Sequence, residues 1–180
     1  MILDRLTTFT GTPPSFVDAV TTTADATNII DLGLVGLPSF AQGGGARDIA
    51  IGDDPMLKLL IEVTTAFNTS ANTLTCSLSG APDNGSGVPG AFTTMWTGPA
   101  VAGSAMTTAG VYLANVDVPR PIPGQPMPRF LKVTFTCSGA LAAGSVYAGI
   151  VIDRFDQVVG QIPGGGTALG GYVPGITVPN

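Results

Sequence analysis

From Phe130 to Cys137 the chain alternates. Leu131, Val133, Phe135 and Cys137 fall on one face at period two and Lys132, Thr134 and Thr136 on the other, the pattern of a half-buried strand. The run from Ser145 to Asp153 is apolar at nearly every position. Gly139 and Gly144 bound a connection of small residues between the two runs, which suits the turn of an antiparallel pair. This predicts a hairpin, with Leu131, Val133, Phe135, Ile150 and Ile152 in the core.

The same alternation recurs upstream. Leu57, Leu59, Ile61 and Val63 alternate with Lys58, Leu60, Glu62 and Thr64, with Leu60 as the imperfection, and Thr73 to Ser79 alternates again. Asn28 to Gly33, Thr93 to Thr97 and Val111 to Val116 read as further strands, and residues 1 to 9 as an N-terminal strand or arm halted by Gly11-Thr12-Pro13-Pro14. That makes about eight strands, the number expected of a jelly roll, although a generic two-sheet sandwich fits equally well. Leu34 to Ala46 reads as an inserted loop. Gly80 to Ala91 and the proline-rich Asp117 to Arg129 read as long connections, the second stiff because each proline fixes its own φ and bars its predecessor from helix.

Composition narrows the picture. Charged residues are 11% of 180, with 25 Gly and 15 Pro, which favours short strands and turns over amphipathic helices. The predicted class is all-β: an antiparallel two-sheet jelly-roll sandwich of residues 1–155 with a C-terminal arm of residues 156–180. A net charge of −5 and seven scattered basic residues argue against a nucleic-acid partner. The sequence has no histidine, which removes a triad base, an imidazole metal ligand and a histidine pH switch together. No signal-peptide block and no run of about 18 apolar residues is evident, so no membrane partner is expected and synthesis in the cytoplasm is. Cys76 and Cys137 both fall on predicted core faces and read as buried free thiols, with a single disulfide left open.

Candidate chemistry is sparse. Gly85-Ser86-Gly87-Val88-Pro89-Gly90 spells a dinucleotide fingerprint but follows a turn, and Pro89 blocks a helix start there. Gly43-Gly44-Gly45 lacks the Lys and Ser/Thr of a phosphate loop. Asp48, Asp53 and Asp54 near Gly52 lack cation-loop spacing and read as turn and surface charge. Glu62 is the only glutamate, so paired-carboxylate catalysis would need aspartates alone. Trp96 with Met95, and Tyr112, Tyr147 and Tyr172, are too dispersed to distinguish a ligand platform from packing. No enzyme, cofactor or metal is expected.

Five pieces carry a family likeness: Met1-Ile2-Leu3-Asp4, Thr27 to Gly33, Ala46 to Pro55, Arg129 to Val133, and Ala148 to Asp153. In this order they resemble the Bbp16-like capsid cement proteins of tailed bacteriophages. The resemblance implies a small jelly-roll protein, without catalysis or cofactor, on the outer surface of the virion. It would bind the outside of an HK97-fold capsid, with the major capsid protein as partner, and tie neighbouring capsomers together. The insert Leu34 to Gly45 and the long tail after Arg154 depart from the pattern. A homo-oligomer is expected, a dimer ahead of a trimer, on the resemblance and a mean hydropathy of +0.41. The rival reading is a sugar- or receptor-binding β-sandwich module, with Trp96 and loop tyrosines in an exposed groove.

The tail itself carries an expectation. Gly164-Gly165-Gly166, Gly170-Gly171 and Gly175 make it costly to order alone, and Pro163, Pro174 and Pro179 deny it a helix or central strand. It still carries Ile162, Leu169, Tyr172, Val173, Ile176 and Val178, an apolar load that a solvated linker does not need. These six are the predicted protein-interaction residues.

Overall fold

The computed structural model describes residues 7–12, 15–32, 57–68, 70–119 and 127–152. Their regular structure is nearly all strand: β1 (Asp18–Ala19), β2 (Ala24–Asp25), β3 (Ile30–Asp31), β4 (Leu57–Thr65), β5 (Thr73–Ala81), β6 (Thr93–Thr97), β7 (Val101–Ala102), β8 (Tyr112–Asp117), β9 (Phe130–Cys137) and β10 (Ser145–Ile152), with one 3-10 turn at Gly103–Ala105. Two antiparallel sheets result. The first has the order β1-β10-β4-β8, and the second β2-β9-β5-β6, with β3 also on β9 and β7 also on β5. If β2 and β3 count as one interrupted edge strand, and β6 and β7 as another, eight strands divide four and four. The strand order is consistent with the predicted jelly roll.

The period-two residues build the core. Leu59, Ile61 and Val63 of β4 and Val146, Ala148 and Ile150 of β10 face Leu74, Cys76 and Leu78 of β5 and Leu131, Val133 and Phe135 of β9, all buried. Both cysteines are free; Cys76 is buried and Cys137 half-buried. Burial pushes the Cys76 thiol up to about 12 and raises Cys137 as well, so both are poor nucleophiles.

The predicted hairpin does not form. β9 pairs with β5, β2 and β3 in one sheet, while β10 pairs with β4 and β1 in the other. Residues 138–144 therefore cross between sheets, a span of roughly 10 Å that a tight turn cannot bridge. Leu141 drops into the end of the core as they cross, and its N–H bonds the carbonyl of Thr21 at 2.8 Å.

Leu60 has its own explanation. With Tyr147 and Val151 it forms a second buried cluster on the outer face of the first sheet, covered by Phe16 and Val17. The cover is laid by the N-terminal segment. Thr8 bridges Gly149, and the Phe9 N–H bonds the Ala148 carbonyl at 2.8 Å. Thr10 then substitutes its hydroxyl for the backbone: Oγ1 accepts from the Ala148 N–H at 2.9 Å and donates to the Phe16 carbonyl at 3.0 Å. Gly11 turns at φ +63, where a Cβ would lie 2.3 Å from the Val17 nitrogen. Asp18 closes the excursion, accepting from the Gly11 N–H (2.9 Å), the Thr27 N–H (2.8 Å) and the Thr27 hydroxyl (2.5 Å), while Asn28 Nδ2 donates to the Gly11 carbonyl at 2.6 Å.

Candidate interaction surface

Strand directions sort the molecule into two ends. β9 finishes at Cys137 and β10 starts at Ser145 after a short crossing, so these lie at one end and Phe130 and Ile152 at the other. Ile152 pairs with Leu57, Lys58 with Asp117, and Phe130 with both Ala81 and Asp31. The junctions to residues 33–56, 120–126 and 153–180 all leave from this second end. So does the junction to residues 1–6, because the Ile150 N–H bonds the Thr7 carbonyl.

Arg129 organises that end. Its guanidinium grips Asp31 with two bonds, Nε to Oδ1 at 2.9 Å and Nη2 to Oδ2 at 3.0 Å, and reaches Asp83 through Nη1. It also stacks 4.8 Å from the Phe130 ring centroid. The planar fork makes one cation serve two loops and a strand. Asp83 shapes residues 82–90: Oδ1 accepts from the N–H groups of Gly85 (2.8 Å) and Gly87 (2.9 Å), and Gly90 N–H bonds the Pro82 carbonyl. Burial pushes the Asp83 carboxyl up, but those two N–H groups and then Arg129 outweigh it and hold it below the usual carboxylate range. The bonds to Asp31, ahead of those to Asp83, raise the Arg129 pKa further, so its charge is permanent. The Gly85 to Gly90 run is thus a turn wrapped on an aspartate, with no helix after it.

Exposed apolar side chains stand close to this network along the chain. Among the described residues, Ile29, Val88, Tyr112 and Met127 are the exposed large hydrophobics. Three of the four are here. Ile29 is two residues before Asp31, Met127 two before Arg129, and Val88 adjoins Gly87, where a Cβ would lie 4.0 Å from Arg129 Nη1.

The outer face of the second sheet differs. Thr75 faces Thr136, Ser77 faces Thr134 and Thr97, and Ser79 faces Lys132 and Thr94, a pavement of hydroxyls with few charges. Lys132 bonds Asp25 at 2.9 Å and lies 4.6 Å over the Phe92 ring. The Lys132 ammonium, then the Thr134 hydroxyl at 2.7 Å, hold the Asp25 carboxyl below its ordinary range. The third described cation, Lys58, pairs with Asp117. All three cations of the described residues are therefore committed to aspartates, and none forms part of a basic patch.

The sequence-predicted residues fare unevenly. Ile162, Leu169, Tyr172, Val173, Ile176 and Val178 lie outside the described residues, as do Asp48, Asp53 and Asp54. Trp96 and Met95 are half-buried against the main core, Tyr147 is buried and Tyr112 exposed, so they make no common platform. Among the described residues no three His, Cys, Asp or Glu side chains come together as a metal group, and no helix is long and apolar enough to cross a membrane. Sequence reading gave no role to Arg129, Asp31 or Asp83. Pro82-Asp83-Asn84-Gly85 does carry the signal of an aspartate-stabilised turn, but its cation is 46 residues away.

No curated protein matches the chain. A family model does: the Bbp16 model aligns with residues 15–150, from just before β1 to within β10, taking in Asp31, Asp83 and Arg129 and leaving out the tail. That stretch is most of the chain and holds nearly all of both sheets, so this protein belongs to the Bbp16 family, a family of bacteriophage-associated structural proteins.

Proposed function

We propose that the protein is a capsid cement protein: it binds the outer surface of an HK97-fold phage capsid through the major capsid protein and ties neighbouring capsomers together. Membership of the Bbp16 family is the observation that carries this reading. The physics agrees with it. A tie must be stiff, and a close-packed sandwich with a second buried cluster on the outer face of one sheet deforms little. It must ignore the packaged genome, and the described cations are all paired with aspartates. The Arg129 end, with Ile29, Val88 and Met127 exposed around a fixed ionic frame, is where we place the contact with the shell. The working form is a homo-oligomer, a dimer ahead of a trimer, and the role needs neither catalysis nor cofactor. The sugar- or receptor-binding alternative calls for Trp96 in an exposed groove, whereas Trp96 is half-buried against the core.

The test is rebinding. Purified protein added to capsids from which it has been stripped should bind at a fixed ratio to the major capsid protein and raise the temperature at which packaged DNA is released, since a ligand stabilises only the state it recognises. No binding, or identical release curves, would remove the cement role.

A further inference from the structure

The apolar group at the Arg129 end lies where the C-terminal segment begins. β10 ends at Ile152 on the same end of the sandwich as Ile29, Val88 and Met127. Twenty-eight residues follow Ile152, none of them charged after Asp156. The nine residues between Ile152 and Ile162 can reach roughly 30 Å when extended, enough to cross a two-sheet sandwich about 10 Å between layers. From Ile162 onward the sequence supplies apolar side chains spaced by glycines, which allow close backbone approach to a surface.

We infer that residues 162–180 of the chain pack on its own Ile29, Val88 and Met127 surface and cover it in the free protein. One feature favours the chain's own tail over a second copy's, and another favours an uncharged cover. A short tether gives an effective concentration in the millimolar range, so even weak apolar affinity keeps the segment in place, whereas a second copy must reach that concentration in solution. The frame beneath is also fixed: Arg129 is fully engaged by Asp31 and Asp83, so an uncharged segment can lie over the network without stripping a bare charge of water. The tail then occupies the same surface that the proposed function assigns to the shell. Binding to the shell would exchange one cover for the other.

Met127 reports directly on this, because peroxide converts methionine to its sulfoxide only where the sulfur is accessible. The experiment uses the full chain and the full-chain double variant Tyr172→Asp/Ile176→Asp, without any capsid, so it does not depend on the cement role. Sulfoxide formation is followed by peptide mass spectrometry at Met127, with the fully buried Met106 as the fold control. Slow oxidation of Met127 in the parent, several-fold faster in the variant, with Met106 slow in both and no change on dilution, is the expected result. Equal, fast oxidation of Met127 in both chains would overturn the inference. Protection that disappears on dilution would assign the cover to a second copy and overturn it too. Acceleration at Met106 alongside Met127 would make the tail part of the core instead of a cover, with the same consequence.

Discussion

The two ends of this sandwich are closed by different physics. At the crossing end, residues 66–68, 70–72, 103–106 and 138–144 are sewn together by backbone bonds: Phe67 N–H to the Met106 carbonyl, Asn68 N–H to Ala142, Gly103 N–H to Asn72, and Ser104 N–H to Ser70. Leu141, Phe67 and Met106 fill the space between. Gly144, at φ +103, leaves no room for a side chain, since a Cβ would lie 2.3 Å from the Phe67 ring. At the other end backbone bonds carry the strands on, Leu32 N–H to the Arg129 carbonyl and Arg129 N–H to the Ala81 carbonyl, but one guanidinium ties Asp31 to the 82–90 loop, and the sandwich itself leaves three apolar side chains uncovered. The first arrangement completes a core. The second holds a surface in shape while leaving apolar area on it.

The comparison breaks most readily at the crossing end. Leu141→Ala removes a buried side chain from a site the backbone cannot close over, and should cost about 2–5 kcal/mol in denaturant unfolding. Phe135→Ala, in the middle of the shared core, should cost about 3–5 kcal/mol. A loss near zero at Leu141 would mean that the crossing is a surface loop and that the two ends do not differ. Arg129→Ala should lower global stability less than either, yet abolish slow hydrogen exchange in residues 82–91. Arg129→Lys should not restore it, because an ammonium cannot grip Asp31 with two bonds and reach Asp83 as well. Unchanged exchange would show that the loop holds its shape without the cation.

Acid should sharpen the contrast more gently. Asp25 and Asp83 have folded-state pKa values below the ordinary carboxylate value, so between that value and the depressed ones the unfolded chain binds more protons than the native one. Their contribution is present in full above about pH 4 and is lost as pH falls through the depressed values. Unfolding free energies across that range should decline, less steeply in Asp83→Asn. An identical slope would remove Asp83 from the account. The crossing segment 138–144, which holds no carboxylate of its own, should keep its exchange protection until global unfolding.

What the sequence could and could not disclose follows the same division. The core faces of β4, β5 and β9 were legible because a half-buried strand writes its burial at period two. The partner of β10 was not. An apolar run next to an alternating one is written the same way for a hairpin as for a crossing between sheets, and only the burial of Leu141 within the connection distinguishes them. The short edge pieces β1 and β2 also escaped notice: two residues carry no periodicity, and they stand where they do because Asp18 and Thr23 bond neighbouring backbone. The Arg129 network is non-local by 98 residues to Asp31 and 46 to Asp83, and local pattern cannot encode such a pairing. Arg129 and Asp31 did stand in the family-like pieces, although nothing in those pieces assigned them to each other.

The contact proposed between the Arg129 end and the shell can be read by hydrogen exchange. The measurement uses the full-chain Tyr172→Asp/Ile176→Asp variant, whose tail should leave that end uncovered, free and bound to shells of the major capsid protein. Shell binding should bring new protection in residues 29–32, 81–91 and 127–130, with residues 66–68, 70–72 and 138–144 unchanged. Protection confined to residues 66–68, 70–72 and 138–144, or to the hydroxyl face around Thr75 and Thr136, would contradict that contact.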